Sequence, residues 1–215
     1  MQSTATVDRD PRHLERLVLL SDAVFAIAIT LLVVDIRLPD RAGGTDEDLA
    51  QALLNLIPNY IGFLVSFLVI GRYWVSHHRL FGLLKYGSDR LLWANLLFLM
   101  AIVFLPFPTR VYSQHITLRT AVALYTGWLI VTGLLYQRLN RIVLSDPALL
   151  GEQASADDIQ DRRRSAWISI LIGAIAFAAG MIQPLWALAG LTLSAPLVIY
   201  LVKRRPAKRA EAAAG

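Results

Sequence analysis

The sequence predicts an all-α, polytopic membrane protein with six transmembrane helices. Three observations predict it. Hydrophobic residues make up 56% of the 215-residue chain, and mean hydropathy is +0.52, above the roughly 45–50% apolar content of soluble domains. The excess is gathered into six long runs, each near the ~20 residues a helix needs to cross a bilayer. Lysine and arginine alternate by side: 17 of 21 fall in the N-terminal segment, the 72–90 turn, the 138–164 loop and the C-terminal tail. With six spans these four regions share one side, which the positive-inside rule makes cytoplasmic. Lipid leaves backbone groups no partner outside a helix or a closed barrel. The runs are too long and too uniformly apolar for barrel strands.

The organising stretch is the first span, Leu17 to Leu38, LVLLSDAVFAIAITLLVVDIRL. It carries Ser21 and Asp22 near its start, Thr30 in its middle and Asp35 near its end. A carboxylate facing lipid costs about 2.5–3.5 kcal/mol on insertion scales. This helix is therefore expected to face protein or water. Before it, residues 1–16 form a polar cytoplasmic tail with no apolar core, so no cleavable signal peptide is expected. After it come Pro39 and an acidic loop.

The second span runs from about Leu49 to Trp74 and ends in RYWVSHHRLF; Pro58 inside it predicts a kink. The third runs from Leu91 to Phe107 and continues as PFPTRVYS, with Pro106 and Pro108 bending its end. The fourth is Leu118 to Tyr136, followed by a polar loop from Gln137 to Arg164. The fifth, Trp167 to Ile182, is rich in small residues (Ala174, Ala176, Ala178, Ala179, Gly180), which suits close helix packing. Only Gln183-Pro184 separates it from the sixth, Leu185 to Val202, so the two form a tight antiparallel pair. Residues 17–202 thus make one six-helix domain. Residues 203–215 form a basic, disordered tail, read as a membrane anchor and topology signal and not as a nucleic-acid patch. The net charge of +5 fits that placement, and the absence of cysteine excludes disulfides and thiolate metal sites.

On a helix of 3.6 residues per turn, Ile27, Thr30, Leu31 and Val34 share one stripe. Periodicity alone fits two uses of it. The residues pack in a core, or they form a hydrophobic constriction that gates by dewetting, with the Thr30 hydroxyl as its polar member. That hydroxyl also has a local alternative, a bond back to its own helix. Asp22 lies off the stripe on the face of Phe25 and Ile29, so it is expected to contact a neighbouring helix. Its candidate partners are Trp74, His77 and His78. With Ser21 and Arg16 it also reads as a helix-end cap beside a snorkelling arginine. Asp35 follows Leu31 by one turn, toward an outer mouth. Asn95 on the third span is a candidate for a hydrogen bond between helices. Adjacent His77 and His78 point to different helix faces and lack the spacing of a metal site, so no metal and no cofactor are expected. No phosphate loop, nucleophile elbow or triad is present, so no enzyme activity is expected. The Thr-Val-Gly-Tyr-Gly carbonyl filter is absent as well.

Arg16-x-x-x-Leu20-Ser21-Asp22 followed by AVFAIAITLLVVDI resembles the signature of the transmembrane protein 175 family, in which an arginine precedes Phe-Ser-Asp by three residues. YWVSHHRLF from Tyr73 and NLLFLMAIVFLPFPT from Asn95 resemble two further motifs in the family's order. Leu20 stands where the family has Phe, and Ala23 where it usually has Gly. The resemblance implies a homotetrameric, potassium-preferring cation channel of the plasma membrane, with potassium ions as the permeant species and six helices per subunit. It implies a central pore lined by the first helix, narrowest at Ile27, with Thr30, Leu31 and Val34 following outward. It also implies a polar network of Arg16, Ser21, Asp22, Trp74, His77 and Asn95. The competing expectation is a proton-coupled secondary transporter or proton-permeable carrier in which Asp22 and His77 alternate in protonation. The short chain, with no internal repeat, disfavours it.

Overall fold

The computed structural model describes residues 7–8, 11–39, 44–151 and 156–193. Residues 1–6 and 9–10 of the tail, 40–43 of the acidic loop, 194–202 of the sixth span and the basic tail 203–215 lie outside the described residues.

Helix α1, Pro11–Val34, starts earlier than the apolar run, because Pro11 is preorganised for a first helical position. Helix α2, Asp46–Asn55, is closed at its start by a capping box between Thr45 and Asp48. It breaks at Leu56 into α3, Ile57–Phe81, at an angle of 43°. This is the kink expected from Pro58, which occupies the first turn of α3, where its missing N–H costs nothing. RYWVSHHRLF is helical to its end and belongs to the span.

Helix α4, Asp89–Phe104, is capped by Ser88, whose hydroxyl accepts from the Leu91 N–H at 3.2 Å. It breaks at Leu105 into α5, Pro106–Gln114, as the prolines predict. The two together make one 26-residue crossing. Helix α6, Arg119–Ser145, and helix α7, Ala156–Ile182, correct the expected loop from Gln137 to Arg164. Most of that stretch is helical, because Leu139, Ile142 and Val143 bury their side chains and carry α6 beyond the apolar run. The described part of the connection holds the 3₁₀ segment Pro147–Leu149, and residues 152–155 lie outside the described residues.

Four helices among the described residues are long and apolar enough to cross a membrane, and the bent α2–α3 pair makes a fifth. Residues 186–193 are helical and open the sixth segment. They lie against α7: a side chain added at Gly180 would collide with Val122 and Ala187, and Gly190 faces Ala176. Of the five small residues expected to pack, Ala176 and Gly180 are buried, whereas Ala174 and Ala178 are exposed. Gly173, against Ile130, completes that contact face.

Short backbone ties gather one end of the subunit. Val7–Asp8 (β1) pairs antiparallel with Gly87–Ser88 (β2), a two-residue exception to an otherwise helical fold. Lys85 N–H donates to the Leu149 carbonyl at 2.8 Å, and Gly151 N–H to that of Leu83 at 2.9 Å. The N-terminal segment, the α3–α4 turn and the α6–α7 turn therefore share one end, the grouping that six alternating spans require.

Candidate functional site

Helix α1 has two faces. Leu17, Ser21, Phe25, Ala28 and Leu32 are buried. They occupy a sector of about 80° at 3.6 residues per turn and pack against α3, α4 and α5. Ile27, Thr30, Leu31 and Val34 are exposed. Their sector is centred about 130° away from the packed one. The subunit therefore does not use the stripe as its own core. Two of the alternatives left open by periodicity are thereby separated: within the subunit, packing belongs to the other face.

The Thr30 hydroxyl donates to the Ile27 carbonyl at 2.9 Å, the local bond common for threonine in helices. Its proton is used, and its oxygen lone pairs remain on the open side.

A buried polar thread ties α1 to α4 and α3. The Ser21 hydroxyl donates to the Leu17 carbonyl at 2.7 Å and accepts from Asn95 Nδ2 at 2.9 Å. Asn95 Oδ1 accepts from His77 Nε2 at 2.8 Å. Because a carboxamide oxygen only accepts, the Nε2 of His77 carries its proton. Ser21, Asn95 and His77 are all at most 1% exposed. Around the imidazole stand Phe81, stacked at 4.0 Å between ring centroids, Phe98 at 6.0 Å and Phe25 at 5.6 Å. The His77–Phe81 stack is an i,i+4 pair on α3, legible in the motif HHRLF but not singled out from it.

Asp22 joins a different partner. Trp74 Nε1 donates to its Oδ1 at 2.8 Å, while the Trp74 ring lies 5.8 Å from that of His78. The acid thus contacts a neighbouring helix, off the open stripe. Asp22 and Trp74 are partly exposed, so this tie lies at the surface of the subunit. Arg16 lies on the open face of α1 and forms no ion pair among the described residues. Of the six residues of the implied network, five are therefore connected, in two separate groups, and Arg16 stands apart.

Asp35 lies past the end of the helix and off the line of the stripe. Helix α1 ends at Val34, and Asp35 turns toward α5, where it pairs with Arg110 at 3.2 Å. The residue is aligned with the packed face of α1 and not with the stripe, since a four-residue step overshoots one turn by about 40°. The arginine offsets part of its charge. Residue periodicity carried no signal for Arg110, which lies 75 positions away.

Against this geometry the comparisons are specific. Residues 16–106 match the family model described as "Endosomal/lysosomal potassium channel TMEM175". A potassium channel of Chamaesiphon minutus is 33% identical over 187 residues, covering 86% of this chain and 91% of that one. A potassium channel of a Chryseobacterium species is 28% identical over 196 residues, covering 91% and 95%. The crystal structure of a lysosomal potassium-selective channel TMEM175 homolog from Chamaesiphon minutus superposes with a TM-score of 0.77 at 28% identity, covering 89% of this chain and 98% of that one. The matched segment holds the open stripe, the buried thread and the Asp22–Trp74 tie, and the structural match extends over the remaining helices. The chain is a multi-pass membrane protein of the TMEM175 family.

Proposed function

We propose that this chain is one subunit of a homotetrameric, potassium-preferring cation channel whose central pore is lined by α1. The observation that carries the reading is the open stripe. Ile27 is 54% exposed on a helix whose opposite side is fully packed. Four copies of that stripe around an axis would enclose an apolar throat, narrowest at Ile27, with Thr30, Leu31 and Val34 toward the outer end. The names of the bacterial relatives support potassium as the permeant ion.

Isoleucine has no atom that coordinates a cation. Selection must then come from throat width, from Thr30 oxygens and from partial dehydration, which favours modest over strict selectivity. Arg16, which has no ion-pair partner among the described residues, would find its carboxylate across a subunit boundary, and the half-satisfied Asp22 is the candidate. Asp35, tempered by Arg110, would raise cation concentration at the mouth only weakly. The charge distribution supports a plasma-membrane orientation with both termini cytoplasmic. Permeation along such a stripe would need no cofactor, metal or catalytic residue.

The carrier alternative needs proton exchange between Asp22 and His77. Each is committed to its own partner, Trp74 and Asn95 respectively, which disfavours it. The deciding experiment uses purified protein in a planar bilayer with potassium on one side and sodium on the other. Discrete openings that reverse toward the potassium equilibrium potential would uphold the channel. Uptake into liposomes that requires a proton gradient, without unitary currents, would replace it with the carrier.

A further inference from the structure

A groove of about 310 Å³ runs between α3, α6, α7 and the helical residues that follow Pro184. That volume is at the lower end of the roughly 300–1,000 Å³ of small-molecule sites. Its walls are mainly apolar, with Leu68, Val69, Leu129, Ile172 and Leu191 among them. No residue of α1 lines it, so it lies away from the open stripe, on the periphery of the proposed pore. Its sides are membrane-crossing helices, and Leu68 on its rim is 61% exposed. Such a groove opens sideways, toward lipid.

One cation enters it directly and a second is aligned with it. Arg72 lines the groove one turn beyond Leu68. On α7 the lining residues Ser169, Ile172 and Gly173 recur at helical spacing. Two turns before Ser169 on that stripe stands Arg162. Both guanidinium groups are within electrostatic reach of the Tyr136 hydroxyl. Among the described residues neither has an ion-pair partner, and the buried Nε of Arg162 has no hydrogen-bond acceptor. No carboxylate among the described residues lines the groove.

We propose that this groove is a site for an anionic phospholipid, with an acyl chain along the apolar wall and the phosphate between Arg72 and Arg162. The charge complementarity is that of basic pockets between transmembrane helices, which hold anionic headgroups. Arg72 lies inside the span, and its long side chain would snorkel toward the interface to reach the phosphate. The ends gathered around the α3–α4 and α6–α7 turns place the headgroup in the cytoplasmic leaflet. Only that leaflet assignment rests on the proposed orientation.

The test uses the full chain, delipidated in neutral detergent. Phosphatidylglycerol and phosphatidylcholine of equal chain length are added, and retained lipid is read by native mass spectrometry together with Tm. The expected result is a preference for phosphatidylglycerol on the order of tenfold, with a matching rise in Tm. R72Q/R162Q abolishes the preference, R72K/R162K keeps it, and L68W, which fills the groove and leaves both charges, lowers retention of either lipid. Equal retention of the two lipids by the unmodified protein overturns the proposal, with no variant needed. So does a preference that survives in R72Q/R162Q, or inorganic phosphate producing the same Tm rise as phosphatidylglycerol. Currents recorded on the same preparation report on the channel separately, so failure of the lipid site and failure of the channel are distinct results.

Discussion

Ile27 and Ala28 are adjacent in the chain and opposite in environment: Ile27 is 54% exposed and Ala28 is 0% exposed. One turn of α1 thus presents a bulky side chain to the open face and a small one to the subunit's core. The two positions make opposite predictions. Ile27→Asn widens and wets the proposed throat, so unitary conductance rises and closure weakens, while Tm in detergent changes little. Ala28→Leu overpacks a closed interface and lowers stability by about 1–3 kcal/mol, read as a lower Tm. Unchanged currents in Ile27→Asn would remove Ile27 from the pore.

The buried thread predicts a stability hierarchy. Asn95→Leu leaves the His77 Nε2–H without an acceptor and removes the donor to Ser21. Stranding a buried polar group costs about 1–3 kcal/mol, so this variant should unfold at clearly lower temperature. Trp74→Phe removes one hydrogen bond at a partly exposed site, so its Tm should fall less than that of Asn95→Leu. Equal losses in the two variants would contradict the assignment of depth.

Arg110 offsets charge at the C-terminal end of α1. Its pair with Asp35 is solvent-accessible, and exposed pairs contribute about 0–1 kcal/mol. Arg110→Gln should therefore leave Tm nearly unchanged. It frees the Asp35 carboxylate, so cation current at low ionic strength should increase. The increase should fade as salt approaches molar concentration, where the screening length falls to about 3 Å. Asp35→Asn should produce no such increase. A salt-independent effect of Arg110→Gln would point to a structural role.

The α6–α7 contact separates glycines by position. Gly180→Leu drives a side chain into Val122 and Ala187, and Gly133→Leu drives one into Ile170. Both should reduce the yield of folded protein in size-exclusion chromatography. At Gly71 on α3 an added Cβ meets nothing within 4 Å, so Gly71→Ala should behave as wild type.

Much of this was legible before any coordinates. The kink near Pro58 and the break before Pro106 followed from proline chemistry, which acts on its own turn. The place of Asp22 off the stripe followed from helical period. The length of α6 did not: QRLNRIVLS reads as polar by composition, yet Leu139, Ile142 and Val143 share a face that packing buries. The pair of Asp35 with Arg110 joins residues 75 apart, beyond any local pattern. The aromatic enclosure of His77 draws on three helices, of which only Phe81 has a readable spacing.

The sequence alone determined the apolar spans, their alternation of charge and the stripe on α1, because hydropathy and helical period are properties of neighbouring residues. Tertiary structure decided which face of α1 is packed, which polar groups meet, and that Arg16 has no ion-pair partner among the described residues. Those outcomes depend on the relative placement of helices. Side chains far apart in the chain compete there for the same buried space and the same few hydrogen-bond partners.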